Sequence, residues 1–158
     1  MSSQPLSSYK ILDLSRVRAG PTAVRQLSDW GADVIKIEMA KDDSDDASDA
    51  FDGSDYQNIQ RNKRSIAINL KEKDGVNILK QLVRTADIFI ESFRPDVKFR
   101  LGIDYQTLRE INPRLIYASL SGFGQTGPYE RRPGYDQVIQ GKISLTIERR
   151  WISLFGFY

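Results

Sequence analysis

The sequence predicts an open, mostly parallel α/β sheet with helices on both faces. Three observations carry that expectation. Short apolar runs recur at residues 9–14, 34–37, 65–70, 87–91 and 115–120, each of strand length. Stretches with apolar residues at helical spacing separate several of them. The first two runs and the helix between them fit within residues 9–38, the compass of a parallel strand-helix-strand unit.

Residues 9–14 open the sheet, with Ile11, Leu12 and Leu14 as the apolar positions. Pro21 suits the first turn of a helix, because its missing N–H would be unpaired there anyway. Ala23, Val24, Leu27 and Trp30 then recur at helical spacing, and Gly31 suits the stop. Val34, Ile35 and Ile37 form the second strand, which ends at Glu38. Residues 40–58 read as polar and irregular. Residues 65–70 alternate like a strand, and Val76, Ile78, Leu79, Leu82 and Val83 mark a helix over 73–85. Residues 87–91 form a buried strand. Leu108 and Ile111 sit on a short helix that ends near Pro113, and residues 115–120 form the last clear strand. In such sheets ligands bind beyond the carboxyl ends of the strands.

The chain has 158 residues, enough for one domain with a core of its own. No apolar run is long enough to cross a membrane as a helix. The first residues lack the basic and apolar regions of a signal peptide, so the expected location is cytoplasmic, with a mitochondrion or peroxisome as the alternative in a eukaryote. The sequence contains neither Cys nor His. That excludes disulfides, the usual zinc and copper sites, and any imidazole base or Ser-His nucleophile. Catalysis here must rest on carboxylates, Lys, Tyr, Arg or backbone amides. Seven Asp fall between residues 42 and 55; setting them aside leaves 23 bases against 14 acids. A cationic body suits an anionic ligand.

The strand ends carry the candidate chemistry. Arg16-Val17-Arg18-Ala19-Gly20-Pro21 joins the first strand to the first helix, where backbone amides and Arg attract phosphate. The alternative is a strand-helix turn with surface Arg. The three-glycine dinucleotide pattern is absent, so a nicotinamide cofactor is poorly supported. Glu38 stands where an acid could hold a ribose hydroxyl. The Asp-rich loop, 41–56, lacks the calcium-loop spacing and reads as solvated. Arg61-Asn62-Lys63-Arg64 sits before a strand and suits phosphate, although no basic helix flanks it for nucleic acid. In Glu91-Ser92-Phe93-Arg94-Pro95, Phe93 suits stacking on a purine, with Arg94 and Arg100 for phosphate. The alternative is Phe93 capping the core. Gly122, Gly124 and Gly127 allow a ligand, or merely a tight turn, close to the backbone.

Six segments, in this order, resemble the class III CoA-transferase family, which includes formyl-CoA and carnitine CoA-transferases and, as a relative, α-methylacyl-CoA racemase. They are Leu12-Asp13-Leu14-Ser15 through Pro21, Gly31-Ala32-Asp33-Val34-Ile35-Lys36-Ile37-Glu38, Asn62-Lys63-Arg64-Ser65, Glu91-Ser92-Phe93-Arg94-Pro95, Arg100-Leu101-Gly102, and Gly122-Phe123-Gly124-Gln125-Thr126-Gly127-Pro128 with Pro133-Gly134-Tyr135-Asp136. The resemblance covers about residues 8–141. It implies a Rossmann-like α/β domain followed by a smaller domain, in an interlocked homodimer. It implies transfer of CoA between a thioester and a small carboxylic acid through a covalent aspartyl intermediate, with no permanently bound cofactor, no metal, no nucleic acid and no membrane. That chemistry needs no His.

Carried over by position, the CoA site comprises Val17, Arg18 and Ala19; Ile68, Asn69, Leu70 and Lys71, with Lys71 for phosphate; Ser92, Phe93 and Arg94 at the adenosine end, with Arg100 and Leu101; and Tyr135 and Asp136 toward the pantetheine arm. Met39 stands where formyl-CoA transferase has a CoA-contacting Arg, and Ser92 and Asp96 replace a common Asn and a common Gly. Tyr135 stands where the racemase branch has its catalytic His, which favours transfer. The resemblance puts the nucleophilic Asp beyond Tyr158, together with the smaller domain. The expected organisation is a flexible 1–8, an α/β domain over 9–141 and an atypical tail over 142–158, whose charged and aromatic content leaves the family pattern. That tail suggests a frameshift, a splice end or a fragment, and a chain inactive alone. The alternatives are a CoA- or nucleotide-binding module without chemistry, or an inactive remnant.

Overall fold

The computed structural model describes residues 4–39, 53–132 and 134. The elements run β1 (Lys10–Leu14), α1 (Ala19–Asp29), β2 (Asp33–Glu38), α2 (Ser54–Gln60), β3 (Lys63–Ala67), α3 (Lys73–Val83), β4 (Ile88–Glu91), α4 (Pro95–Leu101), α5 (Tyr105–Ile111) and β5 (Ile116–Ser119). The chain divides into two compact units, Met1–Leu120 and Ser121–Tyr158.

In the first unit the five strands form one sheet in the order β3-β2-β1-β4-β5, and all four pairings are parallel. The strand order reverses between β1 and β4. This is the arrangement in which a crevice opens beyond the strand ends. Strand alternation sends successive side chains to opposite faces. Leu12, Leu14, Ile37 and Phe89 pack with Leu79 and Val83 of α3 and Leu108 of α5 on one face. Ile11, Val34 and Ile90 pack with Val24 of α1 on the other. Helices therefore cover both faces, as the sequence predicts. Phe89 is fully buried and stacks on Tyr117 with centroids 5.2 Å apart. Leu6 packs against the α1-side cluster, and its amide donates to the Trp30 carbonyl at 3.1 Å. Among the described residues, no helix is long and apolar enough to cross a membrane.

Two expectations change in detail, and one helix is added that the sequence did not announce. Ser54, Asp55 and Tyr56, placed by the sequence in the Asp-rich loop, open helix α2. Residues 95–101 form a helix, α4, with Pro95 in its first turn. The third strand is Lys63–Ala67, not 65–70, so Lys63 and Arg64 belong to the strand. Register explains that shift: Lys63 pairs with Val34 and Arg64 with Ile35, which carries the Lys63 ammonium to Asp13 at 2.9 Å.

Gly75, in the first turn of α3, is where that helix crosses the loop after β3. A Cβ there would collide with the backbone carbonyl of Asn69. Gly75→Ala is expected to cost about 1–3 kcal/mol, as overpacking does when backbone must move. Urea unfolding of the variant checks this.

The second unit is turn-rich over residues 121–132. Gly122 and Gly134 meet backbone to backbone, and a Cβ on either would collide with the other. Phe123 packs edge-on against Tyr129 at 5.9 Å, and the Arg132 guanidinium lies 4.4 Å from the Tyr129 ring centroid.

Candidate functional site

A cavity of about 370 Å³ opens at the carboxyl ends of the strands in the first unit. Its size is in the range of small-molecule sites. The loop after β1 contributes Arg16, Val17 and Arg18, and β2 contributes Lys36 and Glu38, followed by Met39. Ile68 and Leu70 line it from the segment after β3, and Phe93 from the segment after β4. Asp55, Tyr56 and Ile59 of α2 complete the wall. The lining holds three cations and two carboxylates, set among apolar side chains.

Two buried carboxylates anchor the strand ends from which the loops of this region leave. Asp13, near the end of β1, is fully buried. It accepts the Ser15 amide at 2.9 Å and the Lys63 ammonium at 2.9 Å; the Lys36 ammonium lies 3.9 Å away. Lys36 also donates to the Ser15 carbonyl, and Lys63 to the Pro21 carbonyl at 3.0 Å. The cluster ties β1, β2, β3 and the start of α1 together. Burial holds the Lys36 and Lys63 ammoniums below the ordinary lysine value, against the pull of Asp13.

Glu91 ends β4 on the opposite face of the sheet and is also fully buried. It accepts the Phe93 amide at 2.7 Å and the Ser119 hydroxyl. The Lys98 ammonium is 3.4 Å away and donates to Ser119 Oγ at 2.8 Å. The Tyr117 hydroxyl lies 3.4 Å from Glu91 and 3.1 Å from the Ile103 carbonyl. Burial, and then the Glu91 charge, raise Tyr117 well above the ordinary 10.0. The unfolded chain therefore releases this proton first, so the contribution to stability is present below pH 10.0 and lost above it. The buried lysines act in the opposite direction. Tyr117→Phe is expected to flatten the alkaline fall in unfolding free energy, measured on either side of that pH.

The rim is ionic and exposed. Arg18 pairs with Asp55 at 2.5 Å, and the Tyr56 hydroxyl donates to Glu38. Both contacts hold α2 against the cavity. Val17 adopts φ 67° and is two-thirds exposed. A β-branched residue in the left-handed region is strained, and such strain gathers at functional sites.

Of the residues carried over from the sequence, Val17, Arg18, Ile68, Leu70 and Phe93 line this cavity. Ala19 begins α1. Ser92 Oγ accepts the Arg16 amide at 2.8 Å, which joins the loops after β1 and β4. Asn69 Oδ1 accepts the Lys71 amide at 2.9 Å. Lys71, Arg94 and Arg100 are exposed, and Leu101 packs against the core beneath α4. Tyr135 and Asp136 lie outside the described residues, as do the tail and most of the Asp-rich loop.

The basic run at 61–64 is partnered throughout. Arg61 pairs with Asp29 at 2.6 Å, Asn62 donates to Asp29 at 2.8 Å, and Arg64 pairs with Asp33 at 2.6 Å. With Lys63 on Asp13, the run ties the start of β3 to α1, β1 and β2. Sequence reasoning missed Lys36, Tyr56 and Asp55 as lining residues. The signal available was the position of Lys36 two residues before the β2 end.

Residues 6–147 match the model of CoA-transferase family III. The chain belongs to that family. It is 44% identical over 148 residues to the succinate–glutarate CoA-transferase of Agrobacterium fabrum, covering 87% of this chain and 37% of that protein. It is 45% identical over 140 residues to the human succinyl-CoA:glutarate CoA-transferase, covering 85% of this chain and 32% of that one. Among solved structures, a CaiB/BaiF family protein from Brucella suis superposes with a TM-score of 0.77 at 39% identity, covering 89% of this chain and 39% of that one. The chain thus spans about a third of the length of the curated relatives it matches. The likeness to the Brucella protein agrees with the parallel α/β fold described above.

Proposed function

We propose that the chain forms the CoA-binding α/β part of a transferase that moves CoA between an acyl-CoA thioester and a carboxylic acid. The observation that carries this reading is the cavity beyond β1, β2, β3 and β4, which sets Phe93 among Arg16, Arg18 and Lys36. A nucleotide with phosphates needs an aromatic face and fixed cations, and these residues supply both. Phe93 stacks on the adenine. Arg18 takes a phosphate, with Lys71, Arg94 and Arg100 at the exposed margin. Val17 and Ala19 present backbone to the pantetheine arm. Two relatives are named for succinate and glutarate, which supports a short dicarboxylate as the acid.

Transfer proceeds in this reading through an aspartyl anhydride and an enzyme thioester. The resemblance puts that Asp beyond Tyr158 and makes the working unit an interlocked homodimer. These 158 residues on their own are therefore expected to hold CoA without passing it on. Incubation of the purified chain with succinyl-CoA and labelled glutarate tests this. The expected result is no labelled thioester above background. Steady turnover would overturn the assignment of the nucleophile beyond Tyr158.

A further inference from the structure

We infer that Glu91 is a positioning residue for the ligand loop after β4, and that it acts through the Phe93 backbone amide. This rests on the reading above that Phe93 contacts CoA, and it adds a residue to which neither the sequence nor the family resemblance gave a role. Glu91 sits directly before the loop, is fully buried, and draws donors from three elements. Phe93 N–H comes from the loop itself at 2.7 Å, Lys98 Nζ from α4 at 3.4 Å, and Ser119 Oγ from β5. A short acceptor bond to the second residue after a strand fixes where the chain turns. Here it fixes the aromatic ring that lines the cavity.

Asp13 repeats the arrangement on the neighbouring strand. It too accepts the amide two residues on, from Ser15 at 2.9 Å, and is held by a buried lysine, Lys63. The two carboxylates face opposite sides of the sheet, and their loops are joined by Arg16 N–H donating to Ser92 Oγ at 2.8 Å. Two anchored loops with one cross-link make a preformed crevice, so a ligand need not order it on binding.

A buried charge pair can also serve packing alone, so the test separates the acceptor from the charge. Two variants share Lys98→Met and Ser119→Ala, which removes the ammonium and the Ser119 hydroxyl and leaves the Tyr117 hydroxyl in both. One adds Glu91→Gln, whose carbonyl still accepts the Phe93 amide. The other adds Glu91→Met, which cannot. Neutral replacements of a buried pair leave no unpaired charge behind, so both are expected to fold, as thermal unfolding will report. Amide hydrogen exchange at residues 92–94 is read first, without ligand. The Met variant is expected to exchange at least tenfold faster there than the Gln variant, at equal protection in β1 and α3. CoA affinity by calorimetry is expected to fall at least tenfold in the Met variant and to stay within threefold of wild type in the Gln variant. Equal exchange in the two variants would overturn the positioning role whether or not CoA binds. Failure of the wild-type chain itself to bind CoA would overturn the underlying reading instead, leaving the exchange result to decide the role of Glu91.

Discussion

Asp13→Ala is expected to lower the unfolding free energy by about 3–5 kcal/mol, the cost of removing one partner from a buried ion pair. The substitution leaves Lys63, whose side chain is 1% exposed, beside a cavity instead of a carboxylate. It removes the nearest acid to Lys36 and the acceptor of the Ser15 amide. Small domains hold about 5–15 kcal/mol in all, so the loss takes a large share of the total. With a urea slope of about 1–3 kcal/mol/M, the midpoint should drop by about 2 M. Asp13→Leu with Lys63→Met should recover part of that loss, because neither charge of the closest pair is then buried alone. An unchanged midpoint in Asp13→Ala would mean that water or a rearranged backbone satisfies the two ammoniums.

The second large effect concerns the rim. Arg18→Ala is expected to weaken CoA binding about 10–100-fold, the worth of a charge-assisted hydrogen bond of about 1.5–3 kcal/mol. Folding should hardly change, because the Arg18–Asp55 pair is more than half exposed on both sides and such pairs contribute little. Asp55→Asn should act in the reverse sense. A phosphate that takes Arg18 must displace the Asp55 carboxylate at 2.5 Å, so removing that competitor should tighten binding. Parallel calorimetric titrations of the two variants read both signs. Weakening by Asp55→Asn would show that the pair shapes the site and does not compete for it.

The elements that the sequence revealed are those whose burial is periodic. The β1-α1-β2 unit was legible because Ile11, Val24 and Val34 must meet on one face, and α3 because Leu79 and Val83 must meet the other. Helix α2 was not, since none of its residues is buried and no apolar stripe marks it. Helix α4 is short, and its buried residue is Lys98, which no hydrophobic pattern reveals. The start of β3 was misread for the same reason: Lys63 is buried against a carboxylate fifty positions away, a pairing that exists only once the sheet is assembled. At the site, Phe93 and Arg18 were legible from their places after strands, and Val17 came from the family resemblance. Glu38 was read from its place at the tip of β2, whereas Lys36 lies within the strand and Tyr56 reaches Glu38 from a helix that the sequence did not announce.

In the proposed function, the cavity of the first unit binds CoA through its cations and an aromatic face. Calorimetry of the purified chain with CoA, at low and at moderate salt, tests it most directly. Binding is expected to be saturable, one-to-one and weaker as salt rises, because phosphate contacts with Arg18 and its neighbours would be screened. A cooperatively folded chain that takes up no CoA at either salt would contradict it.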